Sequence, residues 1–191
     1  MENIKRREAL KRAAWFMGGV VSAPTVAGIL NGCTPKPELA WTPTFFTEDQ
    51  ALLVSEVAEG IIPETDTPGA KKLGVPAFIE EMVSVVFPSE TREKFISALK
   101  VFENDCKDQL GASFISLDSD QKKVFLNQKN DELKGRKSEN AFFRMVKELT
   151  VVGYFTTEYG ATQVLQYQAI PVEYHGCQPI EEAGNGKTWA T

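Results

Sequence analysis

Between residues 47 and 152 apolar side chains return every three or four positions, the period that gives a helix one buried face. Thr47 and Gln50 have the spacing of a capping box, and Leu53, Val54, Val57, Ala58, Ile61 and Ile62 carry a first helix to Pro63. Proline ends it through its missing N–H and its ring, so Pro63-Glu64-Thr65-Asp66-Thr67-Pro68-Gly69 is predicted to be a structured turn. A second helix is expected to open at Pro76 and to run through Phe78, Ile79, Met82, Val83 and Val86 until Pro88. Ser89 can cap a third, with Phe95, Leu99, Phe102, Cys106 and Leu110 on its apolar face and Gly111 as its C-terminal cap. Asp118 with Gln121 opens a fourth, through Val124, Phe125 and Leu126 towards Leu133, before a polar loop at 134–140. Phe142, Met145, Val146, Leu149 and Val152 then form the last long helix; Thr150, Val151 and Val152 alone would suit a strand, but the period assigns them to the helix.

After Tyr167 the periodicity stops, and Pro171, Gly176, Pro179, Gly184 and Gly186 predict an extended, irregular arm over 167–191. No repeat, heptad array or alternating strand series is present. The pattern therefore predicts an all-α fold: a single domain of about five helices over 47–166, followed by that arm.

The N-terminus has a different character. Residues 5–12 read Lys-Arg-Arg-Glu-Ala-Leu-Lys-Arg and precede an uncharged stretch over 13–32, which is the layout of a secretory signal. Arg6 and Arg7, with Leu10 and Lys11 at the spacing usual after the pair, resemble a twin-arginine export signal, although Ala9 replaces the typical Phe. That route carries proteins already folded, often with cofactors or partners bound. Leu30-Asn31-Gly32-Cys33 resembles a lipoprotein signal, with an apolar residue three before the thiol and a small one directly before it. On this reading residues 1–32 are removed, Cys33 carries the lipid, 33–46 is a Pro-rich spacer, and the protein is a membrane-anchored periplasmic lipoprotein. The competing reading is an uncleaved transmembrane helix, which four Gly and one Pro within 13–32 and the following Thr34-Pro35-Lys36-Pro37 oppose.

Composition adds one constraint. The formal charge is −5, but the first 32 residues hold five basic and two acidic residues, leaving 16 basic and 24 acidic from Cys33 onward, a net −8. An acidic body without basic clusters excludes a surface that gains affinity by neutralising phosphates.

Catalytic chemistry is sparse. The single His, at 175, lies in the irregular arm, and there is no dinucleotide fingerprint, phosphate loop, haem-attachment motif or Cys/His ligand array. His175 and Cys177 around Gly176 supply two ligands where zinc usually takes four. Glu64, Asp66, Glu80 and Glu81 allow a glycosidase-like acid pair to be drawn, but Asp66 between Thr65 and Thr67, just before Pro68-Gly69, better suits side-chain hydrogen bonds that fix a turn. No catalytic, cofactor-binding or metal-binding residue is assigned. Once Cys33 is lipidated, Cys106 and Cys177 are the remaining thiols; an oxidising destination favours a bond stapling the arm to the third helix, with two reduced thiols as the alternative.

The run from Ala58 to Ala70, continuing to Gly74-Val75-Pro76-Ala77-Phe78, resembles the opening of the gluconate 2-dehydrogenase subunit 3 family. A second block, Gly153-Tyr154-Phe155-Thr156-Thr157-Glu158-Tyr159-Gly160-Ala161-Thr162, leading to Tyr167, Pro171, Tyr174, Gly176 and Cys177, is similar to that family's C-terminal signature. The resemblance implies a small non-catalytic subunit of a flavin-dependent (GMC-type) dehydrogenase acting on a sugar, sugar acid or glycoside. It places FAD in a separate catalytic chain and, in many members, haem in a cytochrome c subunit. It further implies that the small subunit supplies the twin-arginine signal and assists maturation of its partner. Interface candidates are the turn residues Pro63, Thr65, Asp66, Thr67, Pro68 and Gly69, and the arm residues Tyr167, Ile170, Pro171 and Tyr174. Packing of both segments on the chain's own core is the plainer reading. The main functional alternative is an independent lipid-anchored binding protein with Trp41, Tyr154, Tyr159 and Tyr167 lining a site.

Overall fold

In the computed structural model the apolar periodicity becomes five α-helices among the described residues: α1 (Glu48–Ile61), α2 (Val75–Glu81), α3 (Ser89–Leu110), α4 (Ser119–Lys134) and α5 (Ala141–Thr156). The structure describes residues 39–134, 141–170, 173, 177, 179–182 and 186–190. The export and lipidation residues Arg6, Arg7, Leu10, Lys11 and Cys33 lie outside them, as do Pro171, Tyr174 and His175. The fold is all-α, and the strand pairing among the described residues is a single parallel bridge between Gln166 and Trp189.

The capping box read at Thr47 and the helix start read at Asp118 both form. Gln50 N–H donates to Thr47 Oγ1 at 3.3 Å while Thr47 N–H donates back to Gln50 Oε1 at 3.0 Å. Asp118 and Gln121 make the same reciprocal pair at 2.8 and 3.3 Å. Gly111 ends α3 in the left-handed conformation, as expected. Ser89 is not the cap of α3: Pro88 holds that position and Ser89 is the first helical residue.

The expected second helix changes character after Glu81, where α2 passes into a π-helical turn over Met82–Val86. The wider turn rotates the following side chains, so Val85 and Val86 are 74% and 59% exposed while Val83 is buried. Val86 is therefore not on the apolar face where a 3.6-residue period placed it. Leu110, Val124 and Val152 are likewise exposed, because the buried stripe of each helix is narrower than its apolar content.

α5 packs against α1, α2 and α3 and forms the spine of the domain. Phenylalanines fill the centre. Phe102 has ring centroids of Phe142, Phe125 and Phe114 at 5.1, 5.3 and 5.5 Å, and Phe95 meets Phe142 at 5.3 Å, all within the offset or edge-on range that aromatic rings prefer. Cys106 lies in this core, as its helical position predicts, with its Sγ 3.5 Å from the Ala112 carbonyl. Burial, helped by Glu103, pushes its thiol up to about 11, so it stays protonated. Cys177 is exposed, and the two thiols are unpaired. The stapling bond is thus corrected: Cys106 is buried in the aromatic core, whereas Cys177 stands exposed to solvent, so the two sulfurs are not brought together.

The arm is also not a trailing extension. After a π-helical turn over Gly160–Val164, Gln166 N–H donates to the Thr188 carbonyl and Ala190 N–H donates to the Gln166 carbonyl, both at 2.8 Å. The chain therefore leaves at Gln166 and returns to it as a closed loop.

Candidate functional site

The two sequence blocks that carry the family resemblance meet in space. Pro68 ends the turn that follows α1, and the Tyr154 hydroxyl of α5 donates to its carbonyl at 3.0 Å across 86 positions of sequence. From the other side the Glu59 carboxylate takes the Glu64 N–H on one oxygen and the Lys71 N–H on the other, each at 2.9 Å. Ala70 N–H to Ile62 carbonyl at 2.9 Å and Thr65 N–H to Thr67 carbonyl at 3.0 Å complete the turn. Glu59, and not Asp66, is the organising carboxylate: Asp66 is exposed and makes no hydrogen bond to another described residue. Pro63, Thr65 and Asp66 face solvent, Thr67 and Pro68 are half-buried, and Gly69 is buried, so the turn presents a short polar edge on an internally braced base.

Removing the Tyr154 hydroxyl tests that brace. Tyr154→Phe is expected to lower stability by about 1 kcal/mol, the ordinary worth of one hydrogen bond. Amide exchange of residues 64–70 should speed up while that of α3 does not, as hydrogen-exchange mass spectrometry would show.

Two of the carboxylates considered for an acid pair, Glu80 and Glu64, have other employment. Glu80, 4% exposed, is the anchor of the segment preceding α1. Its Oε1 accepts the successive N–H groups of Thr44, Phe45 and Phe46 at 2.9, 2.7 and 2.9 Å, and its Oε2 accepts the Trp41 indole N–H at 2.6 Å. Three consecutive amides converging on one oxygen form a nest for negative charge. Burial raises its proton affinity, but these donors, Phe46 and Trp41 foremost, outweigh burial and hold the carboxyl below the usual glutamate range. The anchored segment seats Phe46 in the core, stacked on Phe95 at 5.7 Å. Glu64 pairs with exposed Lys72 at 2.7 Å.

Two further charged groups inside the bundle escaped the sequence pattern. Glu56 of α1 binds Lys71 and Lys122, the latter at 2.7 Å, joining α1 to the turn region and to α4. Burial raises its proton affinity, but the two lysines prevail and lower it. Lys129 of α4, only 3% exposed, meets Asp105 at 3.1 Å and Glu132 at 3.3 Å and lies over the Phe125 ring at 5.2 Å. On a helical wheel each reads as a solvated position; the lysines that pair with Glu56 come from other elements, and Lys129 is held by Asp105 of α3 together with Glu132 and Phe125 of its own helix.

The aromatic set of a binding protein is not gathered into one site. Trp41 is engaged by Glu80, Tyr154 is buried under Pro68, and Tyr167 is exposed on the closed loop. One surface cleft, of about 460 Å³, is lined by Phe45, Ser89, Arg92, Glu93, Ile96 and Ser97. Another, of about 320 Å³, lies among α1, α3 and the Phe114–Ser116 turn, and neither contains those aromatic residues.

These features define a small all-α domain whose distinctive geometry is a braced turn and a closed loop that faces outward. The family model described as gluconate 2-dehydrogenase subunit 3 matches residues 48–173, from the start of α1 into the closed loop, and the chain belongs to that family. It is thereby related to a subunit of a dehydrogenase complex. No curated protein and no solved structure matches the chain.

Proposed function

We propose that this chain is the non-catalytic accessory subunit of a flavin-dependent sugar, sugar-acid or glycoside dehydrogenase of the GMC type. Its catalytic partner holds FAD and the catalytic base. The observation that carries this reading is the family match over residues 48–173, which covers the whole described helical body. The Arg6-Arg7 pair supports a role in twin-arginine export of the folded partner, and Leu30-Asn31-Gly32-Cys33 supports a lipid anchor at the periplasmic face of a membrane. The employment of Glu80, Glu59 and Glu56 as internal anchors agrees with a structural role for this chain.

Co-expression with the flavoprotein dehydrogenase and affinity purification through this chain test the proposal. A stable pair with stoichiometric flavin absorbance is expected. Replacing Arg6 and Arg7 by Lys should leave both chains in the cytoplasm, and Cys33→Ala should release the pair from the membrane fraction. A chain that elutes alone and colourless, while the flavoprotein matures and is exported without it, would instead establish an independent lipid-anchored protein.

A further inference from the structure

Two segments compete as the surface that meets a partner, and the structure separates them. The turn at 63–69 is held from beneath by Glu59 and Tyr154, and its exposed edge, Pro63, Glu64, Thr65 and Asp66, offers little apolar area. The closed loop is the opposite case. Every described residue from 167 to 189 is exposed, including Tyr167 at 60%, Ile170 at 78%, Ile180 at 50% and Trp189 at 41%. Four large apolar side chains in water on one loop are what a covered surface looks like before its cover arrives.

The loop is nonetheless anchored. Its two ends are joined by the bridge between Gln166 and Trp189, and the Lys187 ammonium donates to the Gln163 carbonyl. Gly186, with φ of +71°, supplies the left-handed turn by which the chain comes back to the bridge. The base in turn follows the π-helical turn Gly160–Val164, tied to the end of α5 by Gly160 N–H donating to Thr157 Oγ1 at 3.0 Å. A segment closed at its base loses less freedom on docking than a free arm would.

We propose that this loop is a hook, fixed at its base, that seats in an apolar groove of the catalytic subunit whose rim carries Lys and Arg. The inference rests on the reading of this chain as a dehydrogenase subunit. The chemistry of the occupant follows from charge. Ile180 is followed by exposed Glu181 and Glu182, and the chain from Cys33 onward holds 24 acidic against 16 basic residues. An anionic lipid surface or a second copy of this acidic chain would be repelled, whereas a groove with a basic rim is attracted. Tyr and Trp among the four apolar contacts are the residue types that carry binding energy at the centres of interfaces.

The test is titration of the purified catalytic flavoprotein against this chain and its variants, read as Kd by biolayer interferometry. Ile170→Asp is expected to weaken binding by about 30-fold, the loss of one central contact. Glu181→Lys with Glu182→Lys should weaken it by about tenfold at low salt, a difference that shrinks as ionic strength rises. Thr65→Ala with Asp66→Asn, on the turn, should bind as wild type. Helical circular dichroism and melting of all variants should match wild type, because none of these side chains is in the core. Wild-type binding by the hook variants, or loss confined to the turn variant, overturns the hook alone. Failure of the wild-type chain to bind the flavoprotein overturns the subunit reading and the hook with it.

Discussion

Replacing Glu80 by Ala is expected to destabilise the domain by about 3 kcal/mol, because it strips the acceptor from four donors at once, and each buried donor left unpaired costs about 1–3 kcal/mol before relaxation. Relaxation limits the loss. The segment 41–46 can swing into water and hydrate its amides, but Phe46 then leaves its stack on Phe95 and opens the core beside α3. Glu80→Gln, which keeps the size and one acceptor oxygen, should lose about half as much, since charge-assisted hydrogen bonds are roughly twice as strong as neutral ones. Urea unfolding followed by helical circular dichroism measures both.

The same carboxylate sets a pH signature. Its folded-state proton affinity is lowered, so its contribution is fully present above the unfolded-state glutamate value and is lost as pH falls through the folded value. Wild type and Glu80→Ala should therefore differ most near neutrality, and the gap should narrow as pH falls below about 4, the ordinary glutamate range. Glu56, shifted the same way, keeps some acid sensitivity in the variant. A stability gap that stays constant from pH 7 to pH 3 would show that packing of residues 41–46, and not the carboxylate, holds the segment.

Gly160→Ala is expected to cost about 3 kcal/mol, at the upper end of what overpacking does. A Cβ at this position would lie 2.1 Å from the Tyr154 carbonyl oxygen and 2.8 Å from the Phe155 Cα, both backbone atoms that no rotamer change can move. The end of α5 must shift, and with it the Tyr154 hydroxyl bond to Pro68 and the foot of the closed loop. The Glu80 and Gly160 variants thus act at different places. The first loosens the segment before α1; the second should weaken partner binding together with stability, which the flavoprotein titration would detect.

The second resemblance block gains a physical content from this. Gly153, Tyr154, Thr157 and Gly160 are a helix end, a brace and a tight bend, with the Thr157 hydroxyl donating to the Tyr154 carbonyl at 2.7 Å and accepting the Gly160 N–H. As a string of residues they matched a family; folded, they set where the closed loop begins.

The sequence by itself determined the helical class, the capping box at Thr47, the helix start at Asp118, the proline-bounded turn, the burial of Phe95, Phe102 and Cys106, and the family. These follow from local rules: an apolar face recurs with the helical period, and caps and prolines act within four residues of where they stand. Only the tertiary structure decided that Glu80 and Glu59 anchor backbone amides, that Lys129 is buried, that Met82–Val86 widens into a π turn, that Cys106 and Cys177 stay apart, and that the arm closes on Gln166. Glu80 with Trp41, Lys129 with Asp105 and Gln166 with Thr188 involve partners from other parts of the chain, and hydrophobic periodicity contains no term for a polar group satisfied from another element.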